Sequence, residues 1–182
     1  MTDGVVSLRA WTRDDVPWIV EACQDPEIPR WTFVPIPYTV RDGLAFVAAA
    51  AEEFASGQTA KLAVIDARNG EQLGSSGLVV IDWDRRAADA GYWVAAGARR
   101  RGVASRALVL IARWAFDVLD LDRVELRPRR GNVASCAVER RAGFTPDARP
   151  VISRPECDTL PDTMVYALRR HNDSTDVDRT PS

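Results

Sequence analysis

Between Asp89 and Leu119 the sequence passes from an alternating run, Asp89 to Ala95 (DAGYWVA), through a short segment containing Gly102, into a strongly amphipathic stretch. In that stretch, Ser105 to Leu119, Leu108, Ile111, Ala115 and Val118 recur at i, i+3, i+7 and i+10, which predicts a helix with one buried stripe. A strand that turns through a glycine into a buried helix restricts the chain to architectures in which helices cover a sheet. The turn also aims unpaired backbone N–H groups and the positive end of a helix dipole at one place. Gly102, Val103, Ala104 and Ser105 offer mostly small side chains, so an anion can approach the main chain, and Arg99, Arg100, Arg101 and Arg106 add positive charge around it. The segment reads as a phosphate site; the competing reading is a glycine that only turns the chain. It is not a dinucleotide fingerprint, because G-x-G-x-x-G needs three glycines and Gly102 stands alone.

The flanking sequence supplies the remaining elements. Val5 to Trp11 alternates as a strand, and Thr12-Arg13-Asp14-Asp15 starts a helix that buries Val16, Ile19, Val20 and Cys23, with Pro17 in its first turn. Asp25 to Tyr38 holds four prolines among Trp31, Phe33 and Tyr38, and is expected to be an ordered aromatic loop. A second helix opens at Thr39 with Asp42 three residues on, buries Val40, Leu44, Val47, Ala51 and Phe54, and stops at Gly57. Lys61 to Asp66 and Gln72 to Ile81 read as a hairpin that Asp89 to Ala95 extends to three antiparallel strands. Further on come a strand at Arg123 to Arg127, a short helix opened by Asn132 and closed by Gly143, and a last strand at Thr163 to Leu168. The sum is a single α/β (α+β) domain over residues 1–170, with a mixed, mostly antiparallel central sheet flanked by helices; residues 171–182 lack an apolar anchor and are expected to form a disordered tail.

Rare residues exclude much chemistry. The one histidine, His171, lies in that polar end, so neither a Ser-His-Asp triad nor a histidine-rich metal site is expected. Cys23, Cys136 and Cys157 are scattered without a C-x-x-C and read as reduced thiols, and the one lysine, Lys61, leaves no Walker A motif. No apolar run reaches the ~20 residues of a membrane helix, and Met1-Thr2-Asp3-Gly4 does not open like a signal peptide, so a cytoplasmic protein without membrane contact is expected. Residues 99 to 141 carry eleven arginines against five carboxylates, within a chain of net charge -2. A basic segment inside an acidic chain fits a local anion better than a nucleic-acid coat.

The segment Arg99-Arg100-Arg101-Gly102-Val103-Ala104 resembles the [QR]-x-x-G-x-[GA] loop of the GNAT acetyltransferase superfamily. About thirty residues on, Asn132-Val133-Ala134-Ser135, followed by Glu139-Arg140-Arg141-Ala142-Gly143-Phe144, resembles that family's N-x-x-S…E-[KR]-x-G-F, with one residue more between the glutamate and Gly143 than the pattern has. Asp89-Ala90-Gly91-Tyr92-Trp93-Val94 is similar to its E-I-G-Y-W-L strand, and the likeness is greatest to the RimJ/RimL-like branch. The resemblance covers nearly the whole chain except the tail. It implies a sheet splayed between its fourth and fifth strands, with acetyl-CoA wedged there as acyl donor. Its pantetheine would follow Trp93 and Val94, its pyrophosphate the N–H groups of Arg101 to Ser105, and Asn132 would touch it from the next helix. The acceptor it implies is a primary amine, on a small molecule or at a protein N-terminus. Dimerisation is common in the superfamily, so a homodimer is compatible with the resemblance, although no residue specifies it.

Acetyl transfer to an amine needs no metal and no covalent enzyme intermediate, in keeping with the composition; positioning, an N–H near Val94 for the oxyanion and proton management suffice. Asp89 stands as candidate base and Ser135 as candidate proton donor to the leaving thiolate, since no tyrosine occurs between Val133 and Phe144. Alternatively, Asp89 faces away from the cleft, and Ser135 only holds pantetheine or caps its helix. Trp31, Phe33 and Tyr38 are the candidate acceptor wall. Relatives often carry Gly at the place of Arg100 and Glu at that of Asp89, which bears on the shape of the loop and the reach of the carboxylate. Two rival readings are a non-catalytic acyl-CoA sensor of the same fold and an arginine-rich nucleic-acid-binding module.

Overall fold

A computed structural model of the chain describes residues 1–158 and 162–170. Seven strands form one sheet: β1 (Val6–Ala10), β2 (Ala60–Asp66), β3 (Gln72–Asp82), β4 (Ala87–Val94), β5 (Arg123–Leu126), β6 (Thr145–Pro146) and β7 (Tyr166–Arg169), in the order β1-β2-β3-β4-β5-β7-β6. All neighbours are antiparallel except β4 and β5. That parallel pair needs a crossover, and helix α4 (Val103–Asp117) supplies it. The pairing joins only Ala87 to Arg123, Ala88 to Val124 and Asp89 to Glu125. Beyond Asp89, β4 stays bonded to β3 as far as Val94 and, among the described residues, has no partner strand on its other edge. The sheet is therefore open between its fourth and fifth strands, as the sequence resemblance implied.

Helices cover both faces. Leu108, Ile111 and Ala115 of α4 are fully buried in the main core with Val6, Leu78, Ala88, Val124, Phe144 and Tyr166. Across the sheet, α1 (Val16–Ala22) and α3 (Val40–Ala55) form a second core of Trp11, Val16, Ile19, Val47 and Ala50, with Trp93 packed against it. Pro17 lies in the first turn of α1, where a missing N–H removes no helical bond. Thr39 opens α3, its Oγ1 accepting from the Asp42 N–H while the Asp42 carboxylate accepts from the Thr39 N–H at 2.8 Å. Asn132 opens α5 (Val133–Arg141), and Gly143 follows it at φ +91.

Some expectations are corrected. The aromatic loop contains a five-residue helix, α2 (Glu27–Trp31); Pro29 is its third residue, still within the first turn, where its missing N–H costs nothing. On α3 the buried face is Gly43, Val47 and Ala50, while Val40 and Phe54 are 58% and 51% exposed. Both stripes have helical spacing and share Val47, but small residues decide the contact. A Cβ on Gly43 would lie 3.1 Å from Val16 Cγ1, so α3 packs where its surface is thinnest. Phe54 instead stacks on Trp114, with ring centroids 6.3 Å apart. The last strand begins at Tyr166 rather than Thr163, whose bridge to Arg129 is isolated. The short β6 and helix α6 (Pro155–Asp158) carry too few residues to show a period. The tail expected from His171 lies outside the described residues.

Buried Asp15 ties the chain entry into α1 to the sheet. Its carboxylate accepts from the Thr12 N–H at 2.8 Å, from Arg9 at 2.6 and 2.7 Å, and from Gln72 Nε2 at 3.1 Å. Burial pushes its pKa up, but the bonds from Arg9, Thr12 and Gln72 outweigh this and hold it well below the usual carboxylate range. Asp15→Ala is expected to lower the unfolding free energy by ~2 kcal/mol, read from urea denaturation. Because the folded pKa is depressed, this contribution is present above the unfolded value of roughly 3.9 and is lost as pH falls through the folded one. The gap between wild type and variant should narrow in acid.

Candidate active site

The opening between β4 and β5 holds two cavities of about 540 and 430 Å³. They share Trp31, Thr32, Tyr92, Trp93 and Ser135, so they meet at the splayed end of β4 and the first turn of α5. The smaller one is walled by Trp93 and Val94, by Arg99, Arg100 and Gly102 to Ser105, and by Asn132. Of the residues expected at a cofactor, Arg101 is not on this wall; its guanidinium turns to Asp66 at 3.8 Å.

Gly102 caps α4 at φ +77, a conformation that favours glycine, and a Cβ there would meet no atom within 4 Å. Among the described residues, the N–H groups of Val103, Ala104 and Ser105 donate to no protein acceptor. First-turn amides have no partner within their own helix, and they carry the positive end of its dipole. Ser105 Oγ donates to the Gly102 carbonyl at 3.0 Å and braces the turn. Arg100 also has positive φ, +61, so the loop keeps a glycine-like shape at the place where relatives often have Gly.

The arginines do less than their number promised. Arg99 pairs with Asp25 and donates through Nε to the Val94 carbonyl at 3.1 Å. Arg106 pairs with Asp3 at 2.8 Å, and Arg123 with Glu125 and Asp147. Among the described residues, five of the eleven arginines of the basic segment, Arg127 included, are thus paired with carboxylates, most of them far away in sequence.

The expected base, Asp89, is fully buried and absent from both cavity walls. Arg154, which lines the larger cavity, donates to its Oδ2 at 2.7 Å, and Arg127 Nε lies at 4.0 Å. Burial pushes its pKa up to about 6 against the pull of Arg154 and Arg127. Asp89 thus lies behind the wall of the larger cavity, in contact with two of its arginines, rather than on the wall itself.

Ser135 sits where the cavities join. Its N–H donates to Asn132 Oδ1 at 3.0 Å, so Asn132 caps α5 and lines the smaller cavity as well. Ser135 Oγ is 2.7 Å from Tyr92 Oη and 3.0 Å from Glu139 Oε1. Burial pushes the Tyr92 phenol up, and it pushes the Glu139 carboxyl up to about 8. Neither residue was expected in the site. Their signals were present, because Glu139 lies four residues after Ser135, on the same helical face, and Tyr92 adjoins Trp93. Trp31, Phe33 and Tyr38 all line the larger cavity, with Phe46, Lys61 and Arg154.

The family model of the acetyltransferase (GNAT) domain matches residues 6–145. YdaF of Bacillus subtilis (strain 168), named as a ribosomal N-acetyltransferase candidate, is 32% identical over 81 residues; the match spans 44% of this chain and 44% of YdaF. Mycobacterium smegmatis RimJ, solved with CoA-disulfide, superposes with a TM-score of 0.77 at 21% identity, covering 91% of this chain and 82% of RimJ. Spermidine N-acetyltransferase from Vibrio cholerae, solved with CoA and spermine, gives 0.72 at 17% identity, covering 92% and 96%. The structural likenesses establish the fold, and the family match spans most of the sequence. With its sheet open beside β4 and its unpartnered amides at the foot of α4, this chain belongs to the GNAT acetyltransferase family.

Proposed function

We propose that this chain is an N-acetyltransferase that holds acetyl-CoA in the smaller cavity and receives a primary amine through the larger one. The observation that carries this is the set of N–H groups at Val103, Ala104 and Ser105 without a protein acceptor, at the edge of a cleft that ends on Ser135. Such a turn suits a diphosphate, with open space at Gly102 for close approach. Acetyl-CoA supplies an activated thioester. The chain's own work is to orient that thioester along Trp93 and Val94, bring the amine to it, and return a proton to the departing sulfur. Ser135, at the junction of the cavities, is placed to donate that proton. Asp89 acts at one remove, by fixing Arg154 in the acceptor wall. Cys23, Cys136 and Cys157 are buried and form no disulfide among the described residues, which supports a reducing, cytoplasmic setting.

The acceptor wall supports an amine carried on an apolar or aromatic body, small molecule or peptide N-terminus. Trp31, Phe33, Tyr38, Phe46, Tyr92 and Trp93 line it, and an apolar surround favours the neutral amine that attacks. Lys61, Arg127 and Arg154 share that wall with Asp42 and Glu139, each cation paired with a carboxylate, so the lining carries no net negative charge to draw in a polycation.

Gly102→Asp is expected to weaken acetyl-CoA binding about 100-fold, ~2.7 kcal/mol, by calorimetry on a variant that still folds, since Asp tolerates a left-handed φ. Unchanged affinity would remove the diphosphate assignment. Ser135→Ala should lower kcat by about 100-fold with little change in acetyl-CoA affinity. With a thiol-reactive dye reporting CoA release, aromatic monoamines and peptides with an aromatic first residue should exceed spermidine by about tenfold in kcat/KM, ~1.4 kcal/mol. The reverse order would contradict the acceptor reading, and binding without CoA release for any amine would mark a sensor.

A further inference from the structure

Ser135 Oγ bridges two groups that have no evident duty in the fold. Tyr92 Oη lies 2.7 Å away on the splayed part of β4, and Glu139 Oε1 lies 3.0 Å away one turn along α5. Glu139 is 1% exposed, and its second oxygen, Oε2, has no hydrogen-bond partner among the described residues. A buried carboxylate is normally met by an arginine or by several N–H groups. Glu125 illustrates this, with Arg123, Arg127 and the Val151 and Ile152 N–H groups around it. Glu139 has one hydroxyl, so its surroundings favour the neutral acid.

We propose that Glu139 is the proton reservoir of the site, passing a proton through Ser135 to the sulfur that leaves the acyl donor. In this step the C–S bond of the tetrahedral adduct breaks and its electron pair goes to sulfur. Ser135 Oγ–H gives its proton to that sulfur, and the Glu139 carboxyl O–H gives its proton to Ser135 Oγ. Serine ends unchanged and Glu139 ends as carboxylate. Tyr92 Oη, held neutral by burial, donates to Ser135 Oγ and fixes its direction. Glu139 recovers its proton from the one the amine sheds, so the cycle balances without another reagent. The inference rests on the acetyl-transfer reading.

The charges around Glu139 allow this. Asp89 on β4 raises its pKa, while Arg140 on its own helix lowers it; Arg127 and Arg154 share the larger cavity with it. Burial dominates and pushes the carboxyl up to about 8. It therefore holds its proton at neutral pH and loses it as pH rises through that value.

Glu139→Gln keeps a hydrogen-bonding side chain of the same shape but has no proton to give. Single-turnover acetyl transfer, measured from pH 6 to 9.5 on wild type and variant, is the test. The wild-type rate should decline above about pH 8, and the variant should be about 100-fold slower at pH 7 without that decline, with acetyl-CoA affinity and melting temperature unchanged. A variant that keeps both the wild-type rate and its alkaline limb would overturn the relay, leaving Glu139 a peg for Ser135. An independent readout is the ¹³C-carboxyl NMR titration of the free protein. A resonance titrating near 8 and missing from Glu139→Gln is expected, whereas titration near the ordinary value of roughly 4.3 would overturn the reservoir. If wild type transfers acetyl to no amine, the transferase reading falls and the relay with it; if it transfers and the variant matches it, the relay alone falls.

Discussion

The ladder between β4 and β5 closes over three residue pairs and then stops, and the function proposed for this chain depends on that interruption. An unpaired strand edge inside a sheet leaves backbone polar groups that need partners. The same opening separates Tyr92 and Trp93 from the strand that would otherwise cover them. It brings α4 and α5 to either side of a cleft, with the start of one helix at the end proposed for phosphate and the start of the other at the end proposed for the reaction. Two helix N-termini and one free strand edge thus share a single space, which is suited to a long ligand with an anionic head and a narrow neutral arm.

Charge is managed differently at the two ends of that space. At the phosphate end, most arginine side chains are tied to Asp25, Asp66 and Asp3, so main-chain amides rather than side-chain cations are left for an anion. Those pairings also brace the loop against the rest of the domain, since a guanidinium held by a carboxylate fixes the backbone that carries it. At the reacting end, Glu125 of β5 accepts from the Val151 and Ile152 N–H groups, Arg123 pairs with Asp147, and Arg154 pairs with Asp89 of β4, so the segment before α6 is held against both strands. Within that frame Glu139 is the exception, a buried carboxyl without a cationic hydrogen-bond partner among the described residues.

Local rules made part of this legible in the sequence. A glycine at the foot of a periodic helix, an asparagine before Val133 and a glycine before Phe144 each follow from backbone sterics and orphan amides within a few residues. The loop, the caps and the order of the elements were readable for that reason, and the splay came through family resemblance. Contacts that join distant segments were not readable. Asp89 meets Arg154 across 65 residues and Tyr92 meets Ser135 across 43, and no period encodes either. The face of α3 was misread because the smallest side chains, Gly43 and Ala50, decide how close two helices come, whereas a hydrophobic pattern weighs the largest. The net charge of residues 99 to 141 overstated the basic surface, because the neutralising carboxylates lie elsewhere in the chain.

Main-chain amides at the foot of α4 are proposed to receive the diphosphate of acetyl-CoA. Recording ¹⁵N–¹H spectra of the labelled protein during titration with coenzyme A, and again with pantetheine alone, tests it most directly. The Val103, Ala104 and Ser105 resonances should move strongly with coenzyme A and barely with pantetheine. Saturable binding of coenzyme A that leaves those three resonances in place would contradict it.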